Sequence, residues 1–151
     1  MTGQLSLFKG KRQRGTQAPP ALEFADCCVL ADTFDRWIRP EWKWTHLPFG
    51  ESRGDHKINP RTGKRYSLTG QRLKRMGTKT GWPDYIFVGP NCAVFWLEMK
   101  RRKGGQLSDE QIAIGAHLVA CGFGYLCTNS IKDAINTLVS VGILHGGISV
   151  Q

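Results

Sequence analysis

Acidic side chains are scarce in this chain. Asp and Glu number 12 against 21 Lys and Arg, which leaves a formal net charge of +9 over 151 residues. Such a balance favours a polyanionic partner, and nucleic acid is the commonest one. Long apolar runs are missing too, and no leader is recognisable, so neither a membrane protein nor a secreted one is expected. Cysteine is sparse and unpatterned: there are five, an odd number, with no CxxC spacing. That argues against a disulfide framework and for reduced thiols in the cytoplasm, with Cys27 and Cys28 packed within a helix. Four scattered histidines do not build a zinc site. No internal repeat divides the chain, whose length suits one domain with its own core.

What the chain does have is cations in blocks. Four, with no anion, lie in residues 1–20. Nine follow in residues 53–79 (Arg53, Lys57, Arg61, Lys64, Arg65, Arg72, Lys74, Arg75 and Lys79) beside a single acid, Asp55. Lys100, Arg101, Arg102 and Lys103 form a third block, and the three blocks hold 17 of the 21 cations. The second and third flank a pair of predicted strands.

Residues 9–20 have little apolar content and end in two prolines, so residues 1–20 read as a disordered basic arm ahead of a domain over 21–151. Helical spacing of Glu23, Cys27, Leu30, Phe34 and Trp37 predicts a first helix over 21–37. Alternation of Trp42, Trp44 and His46 predicts a strand. The polar, basic stretch 50–66 reads as a loop or hairpin, and "SLTGQRLKRMG" as a short helix closed by Gly77. "PDYIFVG" and "CAVFWLEMK" are two strands joined by a turn at Gly89–Asn91. Ser108 with Gln111 is a capping-box signature for the next helix, with Gly122 as its stop. "GYLCT" is a strand, and a last helix is capped by Asn129 or Ser130. The order is α-β-(α)-β-β-α-β-α, an α/β (α+β) class with a mixed central sheet flanked by helices.

The strand pair carries the chemistry. In "VFWLEMK" the period of two puts Val94, Trp96, Glu98 and Lys100 on one face and Phe95, Leu97 and Met99 on the other. Both faces are apolar until the end, so the strand is central and Glu98 emerges from a buried surface. Antiparallel pairing brings Asp84 from the preceding strand to Glu98. Two carboxylates that close repel unless a cation lies between them. Hard oxygen donors suit Mg²⁺ or Mn²⁺. Lys100, pointing into the same space, can position a water or stabilise charge on a phosphorane-like transition state. Glu98 and Lys100 also read as a surface ion pair at a frayed strand end, and Asp84 as a turn residue.

Pro83-Asp84 followed by Glu98-x-Lys100 resembles the PD-(D/E)xK nuclease motif. The wider string "RLKRMGTKTGWPDYIFV…WLEMKRRKGGQLSDEQ", with its G-x-PD, E-x-K and "LS..Q" segments, resembles the virus-type replication–repair nuclease (VRR-NUC) branch over roughly residues 21–145. The resemblance implies a restriction-endonuclease-like core and Mg²⁺-dependent phosphodiester hydrolysis leaving 5′-phosphate ends. It implies Asp84, Glu98 and the Met99 carbonyl as metal ligands, joined by Glu23 from the first helix, with Asp26 or Glu51 as its alternatives. Lys100 would act on the nucleophilic water. Gln111 would hold the lysine or the scissile phosphate, a role that coexists with helix capping. The chain departs from the branch at Pro48-Phe49-Gly50, where an asparagine is usual before the basic loop. The cations from Arg53 to Lys79, with Arg101, Arg102 and Lys103, are the expected DNA contacts. His46 and His56 border that loop, and His117 reads as a packed or surface residue.

"QLSLF" at residues 4–8 places Leu5, Leu7 and Phe8 ahead of a cationic run. Apolar residues on a flexible arm often dock in a partner's pocket. The string resembles the peptide by which bacterial replication and repair proteins bind the β sliding clamp, with Gln4, Leu7 and Phe8 as anchors; packing on the protein's own core or on a dimer mate is the other reading. The expectation is therefore a cytoplasmic, Mg²⁺- or Mn²⁺-dependent endonuclease for branched or four-way-junction DNA. Stand-alone members of the branch imply a homodimer, for which the aromatic stretch 37–49 offers a surface or else core. A general or flap- and end-directed nuclease, and a clamp-tethered DNA-binding adaptor without activity, are the alternatives.

Overall fold

A computed structural model describes residues 20–48, 56–102 and 104–149. In chain order its elements are α1 (Pro20–Trp37), β1 (Lys43–His46), β2 (His56–Ile58), β3 (Arg65–Ser67), α2 (Leu68–Arg75), β4 (Tyr85–Val88), β5 (Val94–Met99), α3 (Asp109–Ala120), β6 (Gly124–Thr128) and α4 (Ile131–Ser140). The basic stretch read as a loop or hairpin supplies β2 and β3, which pair with each other in a sheet of their own. The arm with Gln4, Leu5, Leu7 and Phe8 lies outside the described residues, as do Phe49, Glu51, Arg53 and Lys103.

The main sheet runs β1-β4-β5-β6. β1 pairs antiparallel with β4, and β4 with β5; β5 pairs parallel with β6. It is therefore a mixed sheet, and helices lie against it. Tyr85, Phe87, Phe95 and Leu97 point to one face, where Leu30 and Phe34 of α1 and Ile135 and Leu138 of α4 meet them in one buried cluster. Phe34 is the hub, with its ring edge-on to Trp44, Tyr85 and Phe87 at centroid distances of 5.0 to 5.6 Å. Trp37, Trp42 and Trp44, from the aromatic stretch read as a dimer surface or else core, are partly buried and pack against this cluster.

The opposite face carries Ile86, Trp96, Tyr125 and Cys127, and α3 lies over it. Gly115 of α3 is where helix and sheet come closest: a Cβ there would stand 2.9 Å from the Tyr125 ring. β5 is buried on both faces from Phe95 to Glu98, as a central strand requires.

One turn differs from the sequence reading. The expected turn at Gly89–Asn91 is centred instead on Asn91 and Cys92, whose φ values are 54° and 61°. Ala93 N–H donates to the Pro90 carbonyl at 3.0 Å, and Gly89 N–H to the Ala93 carbonyl at 2.8 Å. Positive φ at both central residues matches the twist of a tight hairpin, and Asn tolerates it better than most side chains. Gly and Pro drew the turn one step early because they are the usual markers.

The candidate active site

The β4–β5 register pairs Tyr85 with Leu97. One further step sets Asp84 opposite Glu98, on the face covered by α3. Asp84 is held there by the backbone: its Oδ2 accepts from Met99 N–H at 2.8 Å, and its carbonyl accepts from Leu47 N–H at 2.6 Å. Lys100 lies past the last strand residue, yet its N–H donates to the Thr128 carbonyl at 2.8 Å. This extends the parallel ladder by one rung and keeps the Lys100 side chain on the Glu98 face.

Glu98 is 2 % exposed and Lys100 15 %. Their charged atoms, Glu98 Oε1 and Lys100 Nζ, are 2.7 Å apart. That is a closed, mostly buried pair, unlike the surface ion pair of a frayed strand end. Gln111 completes it. Its Nε2 donates to Glu98 Oε1 at 2.5 Å, and its Oε1 accepts from Lys100 Nζ at 2.7 Å. The same Oε1 accepts from Ser108 N–H at 3.0 Å, while Ser108 Oγ accepts from Gln111 N–H at 3.2 Å, closing the capping box of α3. Capping and holding the lysine–glutamate pair are thus done by one amide.

Burial pushes the Glu98 carboxyl above the ordinary range, the charge of Asp84 adds to the rise, and Lys100 opposes it. Glu98 Oε2 is buried and has no hydrogen-bond partner among the described residues. A buried carboxylate oxygen left in this state is costly in a protein interior. Two facing carboxylates, one with an unpartnered oxygen, are a donor set that a hard divalent cation fits. No group of three or more His, Cys, Asp and Glu side chains comes together among the described residues. Magnesium is commonly held by one or two carboxylates, with water and substrate oxygens completing its shell, so the pair suffices.

Gly81 explains the first part of the G-x-PD string. Its φ is +91°, and a Cβ would fall 2.7 Å from the Glu110 carbonyl carbon and oxygen. The chain entering β4 therefore touches the first turn of α3, one residue from Gln111. Only glycine permits both the conformation and the contact.

Other expected residues fall elsewhere. The Glu23 backbone is in α1, and its side chain lies outside the described part of that helix. Asp26, its alternative, forms an ion pair with Arg102 at 2.8 Å, which ties the loop after β5 to α1. Arg102, one of the expected DNA contacts, stays 65 % exposed in that pair, and an exposed ion pair of this kind is weak. Lys57, Arg61, Lys64, Arg65, Arg72, Lys74, Arg75 and Lys79 are all exposed, as is Arg101. The His46 ring lies tilted against Tyr85 with centroids 5.0 Å apart, and His117 is exposed on α3 with Nε2 3.5 Å from Cys121 Sγ.

Two neighbours were missed. Cys127 pairs with Glu98 across the parallel ladder. Burial raises its thiol, with the charges of Glu98 and Asp84 adding and Lys100 opposing. Tyr125, on the same face, has its hydroxyl pushed up to about 12, chiefly by burial. The alternation in "GYLCT" places both on one face, but only the parallel register shows that this face is the one with the carboxylates.

No protein-family model matches the chain, and neither does any curated protein or solved structure. No helix among the described residues is long and apolar enough to cross a membrane.

Proposed function

We propose that the protein is a metal-dependent DNA endonuclease with a restriction-endonuclease-like core, of the kind the VRR-NUC resemblance implies. The observation that carries this reading is the constellation of buried Glu98 with the partly buried Asp84, Lys100 and Gln111. In it one Glu98 oxygen is held by lysine and glutamine, the other is buried with no side-chain partner among the described residues, and the charge of Asp84 acts on the same carboxyl. A merely structural ion pair has no need of the second acid.

In this reading Asp84, Glu98 and the Met99 carbonyl hold Mg²⁺ or Mn²⁺. When bound, the ion polarises the scissile phosphate and lowers the barrier to attack by water. Lys100 stabilises negative charge on the phosphate oxygens and orients the attacking water through its ammonium protons. Gln111 holds that ammonium at the Glu98 side of the site, so the lysine is pre-positioned before substrate arrives. The exposed cations of residues 57–79 and Arg101 supply the phosphate contacts. Branched DNA as the substrate, a homodimer, β-clamp recruitment through Gln4, Leu5, Leu7 and Phe8, and a cytoplasmic site of action rest on the sequence resemblances.

The test incubates the purified protein with labelled four-way junction and linear duplex in Mg²⁺, Mn²⁺ or EDTA, beside Glu98→Ala. Cutting of the junction alone, dependent on metal and lost in the variant, is expected. Cutting of every substrate would keep the nuclease and discard the junction preference. DNA binding without cutting under any condition would replace the reading by a clamp-tethered adaptor.

A further inference from the structure

Residues 56–80 hold eight cations and no acid. Most of them sit on β2, β3 and α2, which packs on β3. Leu68, Arg72 and Arg75 of α2 and its C-cap Met76 recur at i, i+4, i+7 and i+8, and so share one side of the helical path. All four are exposed, with Leu68 at 49 % and Met76 at 79 %; Gly70 and Leu73, on the other side, are half-buried. No residue of the helix is fully buried. An eight-residue helix is marginal in water on its own. This one is held by its Ser67 cap, whose Oγ accepts from Gly70 N–H at 3.2 Å, and by β3. The fold thus presents a short helix whose outward stripe sets two guanidinium groups between two large apolar side chains. Neither Leu68 nor Met76 serves the core.

A second copy of this chain is a poor occupant for the stripe, because it would bring the same eight cations against these. Duplex DNA fits better. Its phosphates match the guanidinium groups, thymine methyls and sugar edges match the apolar pair, and a helix about 12 Å long is commensurate with a major groove about 12 Å wide. The position also suits it. The chain leaves for this unit just after Leu47, which is hydrogen-bonded to Asp84, and returns through Gly81 to Asp84. Both tethers lie at the carboxylate end of the sheet.

We infer that the α2 stripe of Leu68, Arg72, Arg75 and Met76 docks in a groove of duplex DNA, with the arginines on phosphates and the apolar pair against sugar and base edges. The inference rests on the nucleic-acid part of the proposed function and not on cleavage. The test measures binding of labelled duplex and of its single strand in EDTA, across a salt series. The proteins compared are the wild type, Arg72→Ala with Arg75→Ala, Leu68→Ser with Met76→Ser, and the control Lys132→Ala on α4. The substituted α2 side chains are exposed, so folding is kept and is checked by circular dichroism. The arginine pair is expected to flatten the slope of log affinity on log salt by about 2, near 0.9 for each phosphate no longer neutralised. The apolar pair is expected to weaken duplex binding about tenfold with the slope unchanged, the size of one specific groove interaction. Wild-type duplex binding that the apolar pair leaves intact overturns the inference while the nucleic-acid reading stands. Equal weakening on the single strand also overturns it, since no groove is then read. Absence of any DNA binding by the wild type removes both.

Discussion

At the scale of single residues, Gln111 has the most to lose. Its amide serves the α3 cap and the Glu98–Lys100 pair together. Gln111→Ala leaves a buried carboxylate one donor short and opens the capping box, so it should cost about 1–3 kcal/mol of stability and strongly depress cleavage. Ser108→Ala removes the cap alone, at about 1 kcal/mol, and should leave cleavage close to wild type. Urea unfolding and cleavage rates on the two variants separate the roles; equal loss of cleavage in both would mean that the cap, not the bond to lysine, matters. Glu98 makes a pH prediction. Its carboxyl is raised in the folded state by burial and by Asp84, so the fold binds that proton more tightly than the unfolded chain does. The stability this lends is complete below the ordinary carboxylate value and is lost as pH rises through the raised value. Thermal melts in EDTA should therefore show the midpoint falling across that window. Asp84→Asn, which removes one cause of the shift, should shrink the fall, and Mg²⁺ should raise the midpoint of the wild type but not of this variant.

At the scale of elements, the site depends on how closely the entry to β4 approaches α3. Gly81→Ala meets a conformational cost of about 1–2 kcal/mol for the positive φ and a clash with the backbone of Glu110. The first turn of α3 must shift, carrying Gln111 off Glu98 and Lys100. The expected outcome is a loss of about 2–4 kcal/mol in chemical denaturation together with reduced cleavage; a stable but normally active variant would show that α3 tolerates the displacement. Much of this level is legible in sequence. The caps Ser108 and Ser130 are polar residues ahead of helical patterns, while Ser67, read as part of the short helix, caps it instead. β4 and β5 are short, strongly apolar runs. Less legible is the turn at Asn91 and Cys92, because Gly89 and Pro90 are stronger turn markers than the residues that actually take positive φ.

For the whole molecule, the net charge of +9 and the acid-free stretch 56–80 are what the proposed nucleic-acid binding draws on. If five or more phosphates are engaged, log affinity for duplex should fall with log salt more steeply than about −4. A slope near zero in an anisotropy titration would remove nucleic acid as the partner. The same measurement on protein without its basic arm should be shallower if that segment tracks phosphates.

The sequence alone determined the chemistry available: which acids and which lysine stand at a strand end, their two-residue phase, and where helices begin. These are local properties, set by side-chain period and by backbone groups that need caps. Only tertiary structure decided the rest. Cys127 lies beside Glu98 through a parallel pairing that leaves no local trace, and Arg102 meets Asp26, 76 residues away in the chain. The residue pattern shows Gln111 as a cap and the resemblance implies a site role for it; the contacts with Glu98 and Lys100 exist because α3 lies across the sheet within their reach. Such juxtapositions depend on distances closed by the whole fold, which no short window of residues encodes.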